Sequence, residues 1–566
     1  MIRIGLVVGL VVLGAVVSPV RSGAASAAAL PGASSTPNIL VNFSTPVQKI
    51  DPAAIGADET AFGAPDFAED PAEQQLLKTL GLGYSRIPLI YQTPGDPGSP
   101  IVCEPAYCDT AITGDQWIAG QRAVGESPIV QIGDTTSTAD AAAMVAHFNV
   151  GGANPVHQWI IGNEPDGHGE TAATYSARFD ALADAMKAVD PTILIGGGTT
   201  NTYDSAFLRP FLQVSGSRVD FVDFHFYPER PTSPLTQAQL VGELNNLSTY
   251  LTSMRTLINT VVPSRASQIA IHVGEWNIST ALMADDFAGF ASVWDAAALG
   301  RILAAGDDSM MYATKNGGLG LVADGLNMAA GYSEDTPMPS YEAMSMFTGA
   351  GLFPHFGTTL VSATSSLAGV EVHASSGQDN IVLINENATA KNAVIHLANG
   401  QRRTMTAWQI NQTGPVAAAP RQVATTTTIN GTFDVALPAL SVTTLVVGAP
   451  GAAASHFTFH DASTGRCLDS TTAGVASTGT CGGGNTQNWK VVGTTLVDAQ
   501  TGLCLDSSAA GSAYTRVCNA GNNQNWYSLG SLLVDAQTGR CLDSNAAGTA
   551  LTSVCSGAAT QNWNVT

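Results

Sequence analysis

The sequence predicts a multidomain fold in which a (β/α)8 TIM barrel is followed by a β-sandwich and by a C-terminal domain of three repeats. Three observations along the 566 residues predict this order. Apolar runs alternate with helical stretches over residues 51–348, short alternating segments fill residues 349–448, and cysteines recur every 37 residues within 455–566. The length also fits several domains of roughly 150 residues each better than one small module.

The N-terminal segment predicts secretion. Arg3 is followed by an apolar stretch over residues 4–17 and by small residues over 22–29, which is the layout of a cleavable signal peptide. A membrane anchor is the alternative, but the apolar stretch is shorter than the roughly 20 residues that span a bilayer. We therefore expect residues 1–29 to be removed and the protein to be extracellular.

The charge balance argues against two classes of partner. The chain has 23 basic and 45 acidic residues, which give a net charge of −22. Such a chain repels phosphate backbones and anionic lipids, and no basic run offsets this repulsion. We expect no nucleic-acid partner and no membrane partner, and we expect a monomer.

Eight apolar runs predict the barrel strands, and five helical stretches lie between them. The runs are 54–57, 84–89, 128–133, 159–162, 193–197, 219–227, 269–274 and 309–313, and the helical stretches are 70–80, 139–148, 172–189, 237–258 and 286–305. Eight alternating units close a TIM barrel. A doubly wound sheet is the alternative, but no Gly-rich phosphate loop follows the first run.

Two glutamates follow strands of the predicted barrel. Asn163-Glu164-Pro165 follows the fourth run, and Glu275-Trp276-Asn277 follows the seventh. Because barrel chemistry lies at the carboxyl ends of the strands, the two carboxylates should face each other. Such a pair suits glycoside cleavage without metal or cofactor, with one protonated group and one ionised group. We expect the like charge of Glu275 to raise the pKa of Glu164.

This pair resembles that of clan A of the glycoside hydrolases, which carries an Asn-Glu acid/base on strand four and a Glu nucleophile on strand seven. Arg86 on strand two and His225-Phe226-Tyr227 on strand six match further clan positions. The barrel with a trailing sandwich most resembles families 39, 51 and 79, which implies that a strand from residues 30–50 joins the sandwich. Where the clan usually has a Trp on strand eight, this chain has Tyr312 and Lys315.

The resemblance implies roles for several side chains. Glu164 and Glu275 are the expected catalytic residues, and the expected substrate-binding residues are Asn163, Arg86, His225, Tyr227 and Trp276. Tyr227 is expected to donate a hydrogen bond to the Glu275 carboxylate. A satisfied core histidine is the alternative for His225, and a structural ion pair is the alternative for Arg86. Weaker candidates are Asp166, His168 and His272.

Residues 349–448 read as a β-sandwich because short alternating segments are separated by turn residues. The predicted strands are 369–373, 380–385, 393–397, 405–409 and 440–447. Small residues over 449–454 predict a linker before the next domain.

Six of the eight cysteines recur with the period of the C-terminal repeat. Cys467, Cys504 and Cys541 are each 37 apart, and each precedes its partner, Cys481, Cys518 and Cys555, by 14 residues. Three equal disulfide loops follow, with a fourth pair between Cys103 and Cys108, and they indicate an oxidising compartment. A zinc site is disfavoured because no histidine accompanies this spacing.

A second motif repeats with the cysteines. Gln487-Asn488-Trp489 recurs at 524–526 and at 561–563. The three copies resemble the ricin-type β-trefoil, over residues 455–566, and their tryptophans are expected in a shared core. The resemblance implies a sugar site in the middle repeat, formed by Asp506, Tyr514, Asn523 and Gln524. The outer repeats have threonines in place of Asn523 and no aromatic residue.

These features predict a secreted retaining glycoside hydrolase of a plant or microbial cell-wall polysaccharide, of xylan, arabinan, arabinogalactan or glucuronide type, with a lectin module that binds the polymer. One alternative is a non-catalytic carbohydrate-binding protein on a degenerate hydrolase scaffold. Another is a metal-dependent barrel hydrolase that uses His225, His168 and Asp166.

Overall fold

The computed structural model of the protein describes residues 37–60, 67–91, 100–104, 107–281, 283–316, 319–325, 330–398, 403–411, 417–428, 431–448, 456–492, 494–519, 521–529 and 531–565. The predicted signal peptide, 1–29, and the predicted linker, 449–454, lie outside these residues. Within the described ranges, no helix is both long enough and apolar enough to cross a membrane.

Eight parallel strands close a barrel, as the sequence predicts. Strand β1, Ile39–Lys49, precedes it. The barrel strands are β2 (Ile55–Asp58), β3 (Tyr84–Ile90), β6 (Ser127–Ile132), β7 (Gln158–Ile161), β8 (Leu194–Thr200), β9 (Phe221–Phe226), β10 (Ala270–Trp276) and β11 (Asp308–Tyr312). Each pairs with the next, and β2 pairs with both β3 and β11, which closes the ring. The remaining two strands, β4 (Ile101–Glu104) and β5 (Tyr107–Thr113), form an antiparallel hairpin beside β3.

The helices surround the barrel and bury their apolar faces against it. They are α1 (Pro71–Leu80), α2 (Gly114–Val124), α3 (Thr138–Val145), α4 (Ala172–Val189), α5 (Ser205–Ser215), α6 (Gln237–Val261), α7 (Gly289–Ala305) and α8 (Pro339–Thr348). Side-chain caps fix several starts: Asp70 accepts from two backbone N–H groups of α1, and Thr236 begins α6 with a capping box.

A nine-stranded sheet follows the barrel and includes β1. Its other strands are β12 (Thr359–Ser365), β13 (Val370–Ser376), β14 (Asn380–Asn385), β15 (Lys391–Leu397), β16 (Arg403–Ile410), β17 (Arg421–Thr428), β18 (Thr432–Leu437) and β19 (Ser441–Val447). The order is β17-β16-β19-β14-β13-β12-β1-β15-β18. Strand β1 runs antiparallel to β12 and parallel to β15, so it joins the two parts of the sheet.

Alternation along β14 shows how this sheet is sandwiched. Ile381 and Leu383 pack into the sheet's own apolar core, whereas Val382 and Ile384 join the cluster that includes the barrel helices. Because successive side chains of a strand point to opposite faces, the sheet buries both of its faces here.

The C-terminal repeats form three four-stranded sheets with a shared core. Their strands are β20 (Phe459–Asp461), β21 (Cys467–Ser470), β22 (Ala476–Gly479), β23 (Trp489–Val492), β24 (Thr495–Asp498), β25 (Cys504–Ser507), β26 (Ala513–Arg516), β27 (Trp526–Leu529), β28 (Leu532–Asp535), β29 (Cys541–Ser544), β30 (Ala550–Ser553) and β31 (Trp563–Val565). Trp489, Trp526 and Trp563 are buried, and each indole N–H donates to the carbonyl of the leucine that follows the first cysteine of its repeat. All four expected cysteine pairs are bonded in the structure.

Candidate active site

A pocket of about 390 Å³ opens at the carboxyl ends of the barrel strands. Polar and charged side chains dominate its lining: Asp58, Glu59, Arg86, Gln131, Asp134, Asn163, His168, Glu275 and Tyr312. The β3 end and the disulfide hairpin add Pro88, Leu89, Ile90 and Cys103. The pocket lies where the sequence places the chemistry, because the barrel brings all the strand ends to one rim.

Glu164 follows β7 in a strained conformation. Its φ is 46°, in the left-handed region that residues with a Cβ seldom adopt. The backbone N–H of Glu164 donates to the carbonyl of Thr199 at 2.8 Å, and Oε1 accepts from Nδ1 of His225 at 2.8 Å. These two bonds hold an unfavourable backbone geometry at the pocket, as is common where a side chain must be aimed.

Glu275 lies at the end of β10 and has three close partners. Oε1 is 3.0 Å from Nη2 of Arg86, and Oε2 accepts from the Tyr227 hydroxyl at 3.0 Å. Nδ1 of His225 is 3.4 Å from Oε2. A carboxylate oxygen of Glu164 and one of Glu275 lie within 4.8 Å of each other and of a His225 ring nitrogen. The three side chains therefore form one compact group.

Arg86 is buried, and its guanidinium group donates hydrogen bonds to three neighbouring residues. It donates to Asn163 Oδ1 at 2.9 Å, to Gln131 Oε1 at 2.8 Å and to the carbonyl of Gly274 at 2.7 Å. Burial acts to lower the pKa of Arg86, but the carboxylates of Asp58 and Glu275 raise it above its ordinary value. Arg86 thus supplies a permanent positive charge beside Glu275.

The expected rise in the pKa of Glu164 is wrong. Burial acts to raise this pKa, but the hydrogen bond and the charge of His225 lower it to about 2. Burial acts to lower the pKa of His225, while Glu275 and Glu164 raise it above its ordinary value. His225 contacts Glu164 directly, and its hydrogen bond and charge, with smaller contributions from Asn201 and Arg86, outweigh the effect of burial.

The structure brings most of the expected residues together, but not Trp276. Arg86, Asn163, His225 and Tyr227 all belong to the network around the two glutamates. Trp276 is wholly buried, donates its indole N–H to Ser309 Oγ at 2.9 Å and packs beside Trp294. The expectation that Trp276 contacts substrate is therefore wrong.

The weaker candidates are scattered. His168 lines the pocket, Asp166 accepts from the backbone N–H of Asn201, and His272 stacks on Phe221 inside the barrel. Within the described part of the chain, the side chains close enough to share an ion with His225 are Glu164 and Glu275. A metal centre of His225, His168 and Asp166 does not form.

Sequence reasoning missed four polar pocket residues, which are Asp58, Glu59, Gln131 and Asp134. Asp58 ends β2, and Gln131 lies near the end of β6, so the strand-end argument that located Glu164 would have found both. Glu59 follows Asp58 directly. Of the two residues noted on strand eight, Tyr312 lines the pocket, whereas Lys315 is buried in ion pairs with Asp70 and Asp335.

The expected sugar-binding residues of the middle repeat also converge. Gln524 donates to the Asp506 carboxylate at 2.9 Å, and the side chains of Tyr514 and Asn523 both donate to the carbonyl of Ser507. The outer repeats contain the same Gln-to-Asp bond, from Gln487 to Asp469 at 2.8 Å and from Gln561 to Asp543 at 3.2 Å. Tyr514 and Asn523 are what distinguish the middle repeat.

Two family models match parts of the chain. The model for Glycosyl hydrolases family 39 matches residues 142–320, and the model for the Ricin-type beta-trefoil lectin domain matches residues 455–563. A comparison with curated protein sequences gives no match.

Several solved structures share the fold. The α-L-arabinofuranosidase of Thermotoga maritima has 17% identity and a TM-score of 0.60, over 72% of this chain and 99% of its own. The GH51 arabinofuranosidase of Xanthomonas axonopodis pv. citri has 12% identity and a TM-score of 0.60, over 73% and 100%. A Paenibacillus polymyxa xyloglucanase of family 44 has 14% identity and a TM-score of 0.54, over 73% and 99%.

These similarities agree with the architecture. The closed eight-stranded barrel and the adjoining sheet account for the part of the chain that aligns with the arabinofuranosidases, and the three repeats account for the lectin match. Together, the family-model matches support a glycosyl hydrolase domain that includes residues 142–320 and a ricin-type β-trefoil lectin domain at residues 455–563, and the solved structures share the fold of the barrel and its adjoining sheet.

Proposed function

We propose that the protein is a secreted, retaining glycoside hydrolase of cell-wall polysaccharides, in which Glu275 is the nucleophile and Glu164 the acid/base. The observation that carries the proposal is the approach of their carboxylate oxygens to within 4.8 Å. Retaining enzymes hold these groups about 5–5.5 Å apart, whereas inverting enzymes need about 6.5–9.5 Å to admit a water molecule. The short separation supports double displacement.

The proposed reaction has two steps. An oxygen of Glu275 attacks the anomeric carbon while the bond to the leaving oxygen breaks and Glu164 transfers a proton to that oxygen. Glu164 then removes a proton from a water molecule, whose oxygen displaces Glu275 from the anomeric carbon. Arg86 and Tyr227 hold the Glu275 carboxylate in place for the attack, one at each of its oxygens. The N–H of His225 at Glu164 is the nearest source of the proton that the leaving group needs.

The charge of the pocket favours neutral sugars. Asp58 and Asp134 line it together with Glu275, and the single arginine in the lining already contacts two carboxylates. A uronic acid would add another negative charge to this lining, so the glucuronide type is the least favoured substrate. The solved arabinofuranosidases with this fold make α-L-arabinofuranosides the first neutral class to test.

The C-terminal repeats fit a polymer-binding role. We propose that residues 455–566 retain the enzyme on insoluble substrate and contribute no catalytic group, with Asp506, Tyr514, Asn523 and Gln524 as the sugar site. Deletion of 455–566 should leave kcat and KM on soluble aryl glycosides unchanged and lower the rate on insoluble polymer, because only local concentration is lost. Equal losses on both substrates would contradict this division of labour.

Proton NMR of the first product formed from an activated aryl glycoside tests the mechanism. A panel of nitrophenyl glycosides, with arabinofuranosides included, first identifies a substrate, and the early product should keep the anomeric configuration. Glu164→Gln should slow substrates with poor leaving groups far more than those with good ones, because only the former need the proton. Glu243→Gln, on the outer helix α6, is the control and should match wild type. An inverted first product would refute Glu275 as the nucleophile.

A further inference from the structure

Strand β10 changes its side-chain alternation just before Glu275. Ile271 and Val273 face the helices, and His272 stacks on Phe221 inside the barrel. Strict alternation would therefore turn Glu275 outward and Trp276 inward, because successive residues of a strand face opposite sides. The structure shows the reverse: Glu275 lines the pocket, and Trp276 lies in the helix-facing cluster.

The reversal occurs at Gly274. Val273 is opposite Phe224 of β9, but Glu275 is opposite His225, the very next residue. Two steps along β10 therefore correspond to one step along β9, so Gly274 is the extra residue of a β-bulge. Bulges beside active sites characteristically re-aim a side chain. In β9 itself the alternation is unbroken, with Val222, Phe224 and Phe226 all in the helix-facing cluster.

Asp223 holds this bulge from inside the barrel. It is completely buried, and Oδ1 accepts from the backbone N–H of Gly274 at 2.7 Å. A Cβ on Gly274 would lie 2.1 Å from Oδ1 and 2.3 Å from Oδ2, so the carboxylate fills the space that a side chain would need. The carbonyl of Gly274 accepts from Arg86 at 2.7 Å, and Arg86 also pairs with Glu275. Both polar groups of the bulged residue are thus fixed.

We propose that Asp223 is a positioning residue that orients the nucleophile Glu275 through the backbone of Gly274. The inference rests on the proposed role of Glu275. Asp223 does not line the pocket, and it carries no step of the reaction. Oδ2 of Asp223 is buried and has no hydrogen-bond partner among the described residues. Burying such a group costs free energy, so an apolar side chain would suit this place better if Asp223 only filled space.

Variants at Asp223 test whether this side chain acts as a hydrogen-bond acceptor for Gly274 or only occupies the space beside it. Asp223→Ala removes the acceptor and should lower kcat about 100-fold, the scale of loss for a displacement of about 1 Å, while KM changes less than about threefold. Asp223→Asn keeps an acceptor oxygen of the same shape and should stay within about fivefold of wild-type kcat. Asp295→Ala removes another fully buried carboxylate, on α7 and remote from the site, and should leave kcat unchanged.

The measurement is the rate of covalent labelling by a 2-deoxy-2-fluoro glycoside with a good leaving group, with kcat expressed per titrated active site. This normalisation removes any loss that comes from misfolded protein. Labelling should fall in Asp223→Ala as kcat does, and recover in Asp223→Asn. If Asp223→Ala does not fold, Asp223→Asn and Gly274→Ala decide: the first should label nearly as fast as wild type, and the second should label at least about 30-fold more slowly because its Cβ meets the Asp223 carboxylate.

Two results would overturn the inference. One is unchanged labelling in Asp223→Ala, and the other is a loss in Asp223→Asn as large as in Asp223→Ala. Mass spectrometry of labelled wild-type protein tests the proposed function separately. A label on a residue other than Glu275 refutes the nucleophile, whereas a label on Glu275 with no effect of Asp223 refutes the positioning role alone.

Discussion

At the scale of single residues, the proton of the site is held by a pair rather than by one carboxyl group. His225 is fully buried, and its Nδ1 lies 2.8 Å from Glu164 and 3.4 Å from Glu275. Titration of such interacting groups belongs to the pair and not to either member. Glu164 and His225 therefore share the transferable proton, because the pKa of Glu164 is lowered and that of His225 is raised.

This arrangement predicts the effect of removing His225. The raised pKa of His225 keeps the proton in the pair to higher pH. In His225→Ala the proton must sit on Glu164; this carboxyl group no longer has His225 to lower its pKa, but a carboxyl group still loses its proton at lower pH than a histidine whose pKa is raised. The basic limb of the pH profile of kcat/KM should move to lower pH, measured with a poor leaving group. His157→Ala changes an exposed histidine and should keep the wild-type limb. If the basic limb of the pH profile stays in place in His225→Ala, the inference that His225 and Glu164 share the proton is wrong.

Strand ends were enough to predict Glu164 and Glu275 as neighbours, because a barrel gathers its strand ends by topology. Arg86 and Tyr227 were implied by the resemblance to clan A. The direction of Trp276 was not predictable, since one bulged residue reverses alternation without any change in the apolar pattern. The pKa of Glu164 was not predictable either. It depends on how deeply Glu164 is buried and on its contact with His225, and only coordinates supply both.

At the scale of elements, a buried ion pair ties the end of strand eight to α1. Lys315 contacts Asp70, the N-cap of α1, and both side chains are 3% exposed, while Asp335 at 2.8 Å is 28% exposed. Removing one member of a buried pair leaves an uncompensated charge, so Lys315→Met should lower the free energy of unfolding by about 3–5 kcal/mol. Asp335→Asn should cost about 1 kcal/mol or less.

Urea denaturation measures both variants, with KM as the second readout. Lys315→Met should leave the KM of an aryl glycoside unchanged, because Lys315 does not line the pocket. A raised KM together with an unchanged free energy of unfolding would indicate that Lys315 contacts the substrate.

Three strands of the nine-stranded sheet were not predicted from the sequence: β12, β17 and β18. Strands β17 and β18 are the two edges of the sheet, and edge strands carry polar residues that hide the alternating pattern, whereas β12 lies inside the sheet between β13 and β1. Helix α5 contains Pro210, which disfavours helix in an isolated segment, yet Phe207, Leu208 and Phe211 bury its apolar face. Helices α2 and α8 were also missed. Strongly periodic segments such as α4 and α6 were placed within a few residues of their bounds.

The middle repeat of the trefoil allows a matched comparison. Asn523→Ala should lower retention on polysaccharide in affinity electrophoresis, because Asn523 lies beside Tyr514 and the Asp506–Gln524 pair. Thr486→Ala and Thr560→Ala change the corresponding outer positions and should have little effect. Equal losses in all three variants would show that the repeats bind sugar alike. Unchanged retention of Asn523→Ala would mean that Asn523 is not part of a sugar site.

At the scale of the whole molecule, buried carboxyl groups predict higher stability in mild acid. Burial raises the pKa of Glu126 and of Asp307 to about 8, and that of Asp286 and of Glu342 to about 7. The folded protein therefore binds more protons than the unfolded chain between about pH 4.5 and pH 8, so stability falls as pH rises through this window. The lowered pKa of Glu164 acts in the opposite sense only below this window.

Calorimetry at pH 5 and pH 8 should show the higher melting temperature at pH 5. Glu126→Gln removes one of the titrating groups without changing its shape and should reduce the difference between the two temperatures. A higher melting temperature at pH 8 would mean that these groups are ionised in the folded protein.

The position of β1 in the sheet means that this strand is synthesised well before the two strands with which it pairs. This strand lies between β12 and β15, and both partners are translated only after the entire barrel. At about 5–20 residues per second, β1 stays without its neighbours for roughly 15–70 s while the ribosome reaches β15. An unpaired apolar strand invites association with other nascent chains. Pro46, at a break in the register of β1 with β12, has no backbone N–H to donate, so this part of β1 is a poorer template for a strand of another nascent chain.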